Sequence, residues 1–225
     1  METTYQRGAL KRDKSSLNNV LLLCGIIAAV LYISADVIAA FRWDDYSMAA
    51  QAFSELIATD APTRPFMVPL LVVYSLLFYA FGIGVISKAR GLRALKLAGI
   101  FLITKEILGV VVTLFFPIHL RGVETNYQDT MHGILTAVGV LSLLLAIGFG
   151  SGADGKWFRY YSFLTILLMA VFGIWAGADA PNIEANLPTP LFGLKERVNI
   201  YAYMLWMTVL AIILIRKGRS EAVQG

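Results

Sequence analysis

Eight side chains in this 225-residue chain combine a reactive or ligand-binding type with a suggestive position. Asp36, Lys105 and Glu106 fall inside apolar runs, while Ser54, Glu55, His132, Glu196 and Arg197 lie close to the ends of such runs. An ionisable group within a membrane span costs about 2.5–3.5 kcal/mol on insertion scales, so it is a functional candidate by default. His132 is a general base in waiting, Ser54 a nucleophile, and the planar fork of Arg197 suits a phosphate or carboxylate.

The elements that must position these groups follow from composition. The chain is 58% apolar and only 15% charged, with a mean hydropathy of +0.69. A soluble domain is about half apolar and a quarter charged. The excess is gathered into six runs, Val20 to Phe41, Phe66 to Ser87, Leu97 to Phe116, Met131 to Gly150, Tyr161 to Ala178 and Asn199 to Ile215. Runs of about 20 residues at about 1.5 Å each match a hydrocarbon core of about 30 Å, and backbone groups there must be satisfied within the segment. The fold class expected is all-α: a polytopic six-helix membrane bundle forming one domain over residues 1–225, with tails at 1–19 and 216–225.

Charge sets the expected orientation. Thirteen Lys and Arg flank one side of the spans, five (Arg42, Arg64, Arg121, Lys195, Arg197) flank the other, and Lys105 lies within a span. The positive-inside rule puts both termini in the cytoplasm of a cell-membrane protein. The same rule accounts for the net charge of +4 without nucleic acid as a partner. The first run, about 22 residues, exceeds the 7–15 of a secretory signal and is expected to be a retained anchor. A single cysteine, Cys24, cannot build a disulfide framework or a thiolate metal site.

The outer connections are longer and more polar than the inner ones, which makes the outer face the expected binding side. Tyr46 to Ala58 reads YSMAAQAFSELIA, with apolar residues every three or four positions. That periodicity predicts an amphipathic interfacial helix, capped by Asp44 or Asp45, with Ser54 and Glu55 either in solvent or turned toward a cavity. Pro117 should end the third span, and Asp129 or Thr130 should cap the fourth. Glu196 and Arg197 are adjacent, so they diverge by about 100° on a helix and seek partners elsewhere. Lys105 has two outcomes, snorkelling to the inner interface or facing the bundle; Glu106 should point inward. Asp36 sits roughly 10 Å higher than Lys105, too far for an easy pair. Gly173 and Gly177 form a small-xxx-small pair suited to close helix approach.

Several of these motifs together carry a resemblance. YSMAAQAFSEL before a proline-containing turn, FFP at the end of the third span, His132 opening the fourth, and FGLKERV leading into a sixth span with Trp206 resemble the prokaryotic multi-pass family catalogued as domain of unknown function 998. The resemblance implies a six-helix membrane fold and no established activity. Members often carry an acid two residues after the FP pair, where this chain has His119.

No Walker loop, G-x-S-x-G or H-E-x-x-H motif occurs, and Gly148 to Gly152 reads as a turn rather than a nucleotide loop. No cofactor is called for, and His119 and His132 match no zinc spacing. The expected partners are membrane lipid and a small amphiphile or solute, held in an outward-facing cavity at which Ser54, Glu55, His132, Glu196 and Arg197 converge above Asp36. The alternatives are a lipid hydrolase using His132 and a scaffold without chemistry.

Overall fold

The computed structural model describes residues 2–122 and 124–224, with side chains over residues 16–122 and 124–218. The side chains of Arg7, Lys11, Arg12, Lys14 and Arg219, which contribute to the charge asymmetry, lie outside the described set. The elements are α1 (Glu2–Phe41), a 3-10 helix (Phe53–Ile57), α2 (Arg64–Lys88), α3 (Arg93–Phe115), α4 (Tyr127–Gly150), a second 3-10 turn (Ser151–Ala153), α5 (Lys156–Gly177), a short α6 (Ala180–Glu184) and α7 (Phe192–Gln224). Six helices, all but α6, are long and apolar enough to cross a membrane. Six antiparallel crossings bring both termini to one end of the bundle, the terminal end; the long connections lie at the other, the loop end.

Packing closes the helices into a ring in which α1 contacts α2, α2 contacts α3, and so on through α4, α5 and α7 back to α1. The α1–α2–α3 side is tight. A Cβ on Gly84 would lie 3.0 Å from Leu21 Cβ, and one on Gly99 would lie 3.0 Å from the Gly82 carbonyl, so these backbones approach closely because no side chain intervenes. At the terminal end Trp206 of α7 is fully buried against Phe158 and Gly150, and its Nε1 donates to Ser162 Oγ at 2.9 Å. That anchors α5. Elsewhere α5 is peripheral: it buries 11% of its apolar window, against 28–44% for the other spans, and its seam with α4 is the loosest in the ring. Leu141 on α4 and Leu164, Leu167 and Val171 on α5 are exposed, as a hydrocarbon-facing surface requires.

The first long connection differs from its expected form. Instead of a 13-residue amphipathic helix, Tyr46 to Ala58 folds into turns followed by the five-residue 3-10 helix. The apolar periodicity is real, but Phe53, Leu56 and Ile57 are buried in the bundle core rather than laid on an interface. The helix is outcompeted for its own carbonyls. Arg197 takes Met48 O (2.7 Å) and Gln51 O (3.0 Å), Arg121 takes Ala50 O (2.9 Å), and Leu194 N takes Ala49 O (3.1 Å). An α-helix would have spent these acceptors on amides four residues on. No aspartate caps it either: the 3-10 helix has Ala52 at its N-cap, and Glu55 reaches back to accept from Ala52 N at 2.9 Å. Similarly, α4 is capped by Asn126, whose side chain accepts from Gln128 N (2.7 Å) and Asp129 N (3.3 Å), while Asp129 reaches back to Asn126 N (3.1 Å).

Candidate functional site

The eight singled-out residues separate into a bracing set and a cavity set. Arg197, in the first turns of α7, makes a bidentate pair with Asp36 of α1: Nε to Oδ2 at 2.9 Å and Nη2 to Oδ1 at 2.8 Å. Its Nη2 also donates to Tyr46 Oη at 2.6 Å, and its Nη1 to carbonyls of the first connection, so every face of the guanidinium is engaged within the protein. Tyr201 Oη donates to Asp36 Oδ2 as well. Asp36 is 0% exposed and Arg197 4%. A pair this deep is stable only because both partners are saturated with hydrogen bonds. Burial raises the Tyr46 phenol well above its ordinary pKa against the opposing pull of Arg197, keeping its hydroxyl protonated beside the guanidinium. Gly193 permits this junction, since a Cβ there would strike the Gln51 and Met48 carbonyl oxygens.

Glu55 belongs to a second brace. It is 4% exposed and accepts from Arg121 Nη2 at 2.8 Å, Arg121 Nε at 3.1 Å, Ala52 N at 2.9 Å and Gln51 Nε2 at 3.0 Å. Arg121 extends on to Thr189 Oγ1 at 2.6 Å, so one guanidinium from the α3–α4 connection ties the first and last long connections together. Sequence reasoning passed over Arg121, Tyr46 and Thr189. The available signal was Arg121 itself, a cation on the sparsely basic side. The long-range pairs of the braces join residues 66 to 165 positions apart, which no local pattern encodes.

Beneath this cap, between the spans, is a cavity of about 490 Å³. It is lined by all six spans and the 3-10 helix, and it holds the remaining five residues: Ser54, Lys105, Glu106, His132 and Glu196. Its floor is the Lys105–Glu106 pair, Nζ to Oε2 at 3.1 Å, with Ser75 Oγ donating to the other Glu106 oxygen. Lys105 does not snorkel. Its ammonium lies over the Phe78, Tyr203 and Tyr74 rings at 4.9, 5.2 and 5.6 Å and reaches the Tyr203 hydroxyl at 3.4 Å. Cation–π contacts and a carboxylate thus replace the water it left.

Nearer the loop end, Glu196 Oε2 accepts the Phe53 N–H at 2.5 Å, and Tyr32 stacks on Phe53 with ring centroids 4.4 Å apart. His132 Nδ1 lies 2.8 Å from the Phe116 carbonyl oxygen, which can only accept, so Nδ1 carries a proton. In the neutral ring Nε2 is then the free base in a side chain that lines the cavity. Glu196, Asn199 or Ile200, and Tyr203 line it along one face of α7, so the two polar levels stand about 10 Å apart. Gly173 does not admit a helix backbone; it makes room for Asn199, whose Nδ2 donates to Met169 O at 2.7 Å, while nothing lies within 4 Å of a Cβ built on Gly177.

His119 stays outside the cavity. Its N–H and ring Nδ1 bind the Asp129 carboxylate at 2.8 and 3.1 Å, which fixes the α3–α4 connection. Among the described residues no group of three or more His, Cys, Asp or Glu is arranged to hold a metal ion.

Fold and cavity together define an all-helical, multi-pass membrane protein with a largely apolar chamber between its spans that carries a few polar groups. The family model described as "Protein of unknown function (DUF998)" matches residues 26–213, nearly the whole bundle, and the chain belongs to that family. No curated protein and no solved structure matches it.

Proposed function

We propose that the protein binds an amphiphile, lipid or small solute in the chamber between its spans, in the cell membrane, with the loop end outside and both termini cytoplasmic. The observation that carries the reading is the chamber itself. Its volume of about 490 Å³ lies within the range of about 300–1,000 Å³ usual for ligand sites. Its walls are apolar, with a few convergent polar groups, and the loose α4–α5 seam offers lateral access from the bilayer. Ser54, Lys105, Glu106, His132 and Glu196 meet the ligand; Asp36, Glu55 and Arg197 hold the cap that roofs it. The 13-to-5 basic asymmetry supports the orientation.

Native mass spectrometry of protein extracted from membranes tests the binding. A bound small molecule near one per chain is expected, and it should be lost in Gly139→Phe, where a Cβ meets only Leu108 at 3.9 Å and a larger side chain fills the chamber. An empty wild-type protein, or binding unchanged by Gly139→Phe, would remove the reading. Orientation is checked in a Cys24→Ser background: Glu124→Cys should react with an impermeant thiol reagent in intact cells and Ser16→Cys should not.

A hydrolytic reading is favoured by one observation, the His132 Nε2 base in the chamber that Ser54 also lines. It requires release of fatty acid from a lipid ester, abolished by both Ser54→Ala and His132→Gln. Binding without release leaves the protein a carrier or receptor.

A further inference from the structure

We infer that the chamber selects a cationic head: its ligand is an amphiphile bearing an amine or quaternary ammonium, held by Glu196. This deepens the binding reading above and rests on it. Three cations stand around the site, and each is matched to one carboxylate: Arg197 to Asp36, Arg121 to Glu55 and Lys105 to Glu106. Glu196 is the acid left over. Among the described residues its side chain makes one hydrogen bond, from the Phe53 backbone, and its neighbour Arg197 is turned away to Asp36. A carboxylate in an apolar chamber is relieved either by a proton or by a counter-charge, and a backbone N–H supplies only part of the latter, so an ammonium that brings its own charge would hold the ionised form.

The surroundings suit an ammonium better than a metal ion. Phe53, whose N–H binds Glu196, stacks with Tyr32 in the chamber wall, so aromatic rings stand near the acid. Such faces attract an alkylated ammonium through the ring quadrupole. Among the described residues no group of three or more His, Cys, Asp or Glu is arranged to hold a metal ion, and a hard cation asks for about six or more oxygen ligands. Lys105 does not make the chamber an anion site, because Glu106 and the rings over which it sits already satisfy its charge. His132 already spends its Nδ1–H on the Phe116 carbonyl, and in its neutral form, the one expected at pH 8, it adds no charge. Below the acid, Leu135, Val140 and Leu143 form an apolar wall beside the α4–α5 seam, where a chain attached to the head would lie.

Equilibrium dialysis of the full-length protein in a neutral maltoside detergent at pH 8 tests this with three probes of one chain length: dodecyltrimethylammonium, dodecyl phosphate and dodecanol. The ammonium should bind tightest, by about tenfold or more over the other two. Glu196→Gln keeps an oxygen for the Phe53 N–H and should lose that preference, while Glu196→Asp should retain most of it. Phosphate binding tightest, or an ammonium preference that survives in a folded Glu196→Gln, would overturn the cationic assignment but leave the chamber as a site. All three probes binding equally would do the same. Failure of every probe, with no effect of Gly139→Phe, would count against the chamber itself. The ranking in the wild type decides the matter even if the glutamine variant fails to fold.

Discussion

Glu196 and Arg197 are consecutive residues on one helix, yet they serve opposite sides of the molecule. Arg197 faces the α1–α7 seam, where its guanidinium is saturated by Asp36, Tyr46 and three backbone carbonyls. Glu196, turned about 100° away, faces the chamber beside the loosely joined α4–α5 seam with one backbone donor. The comparison teaches that burial alone does not mark a functional charge in a membrane bundle. A buried ion whose hydrogen-bonding capacity is filled by its own chain is part of the frame; one left partly unfilled in a cavity is available to something else.

The strongest way to break this contrast is at the frame. Arg197→Met leaves Asp36 buried without its cation and should destabilise by about 3–5 kcal/mol, seen as a large fall in melting temperature in detergent. Adding Asp36→Leu should recover part of that loss, because the orphaned charge is gone, but not the contacts Arg197 makes with the first connection. Next comes Arg121→Gln, which removes a charge-assisted tie between two connections worth about 1.5–3 kcal/mol. Its effect should be local, read as faster amide hydrogen exchange over residues 47–52 with less change in the core. Gly193→Ala forces the first connection off α7 and should cost about 1–3 kcal/mol. At the other extreme, His132→Gln in the chamber should change stability by no more than about 1 kcal/mol while altering ligand binding. A variant at Glu196 or His132 as damaging as Arg197→Met would erase the distinction; the paired Lys105 and Glu106, saturated by their own chain, behave as frame.

Much of the frame was legible before any coordinates. Six apolar runs gave the six spans because hydrocarbon forces each to be a helix; the inner helices differ from the runs by a few residues, while α1 and α7 continue as helix through the stretches read as tails. The inward course of Glu106 follows from the cost of a charge in hydrocarbon and the divergence of Glu196 from Arg197 from helix geometry, whereas the sequence left Lys105 open between snorkelling and the bundle. What failed was the first connection. Its amphipathic spacing identified the residues that would be buried, Phe53, Leu56 and Ile57, but not the conformation that buries them. That conformation depends on Arg121 and Arg197 arriving from distant elements to take carbonyls a helix would have used. The expected gathering of Ser54, Glu55, His132, Glu196 and Arg197 likewise divided, because ion pairing across the bundle draws Glu55 and Arg197 to the braces and leaves the other three lining the chamber.

One alternative location tests the account most sharply. A second pocket, lined by Met48, Ala49, Val198 and Leu205 beside Arg197, also offers an apolar surface but no unpaired carboxylate. A photoactivatable dodecyl-chain ammonium probe, crosslinked to the purified protein and mapped by peptide mass spectrometry, distinguishes the two. The account predicts labels on Leu135, Val140, Leu143 and Ile200 that fall away when unlabelled dodecyltrimethylammonium competes. Labels confined to the second pocket, or scattered without competition over Leu164, Leu167 and the other lipid-facing residues, would contradict it.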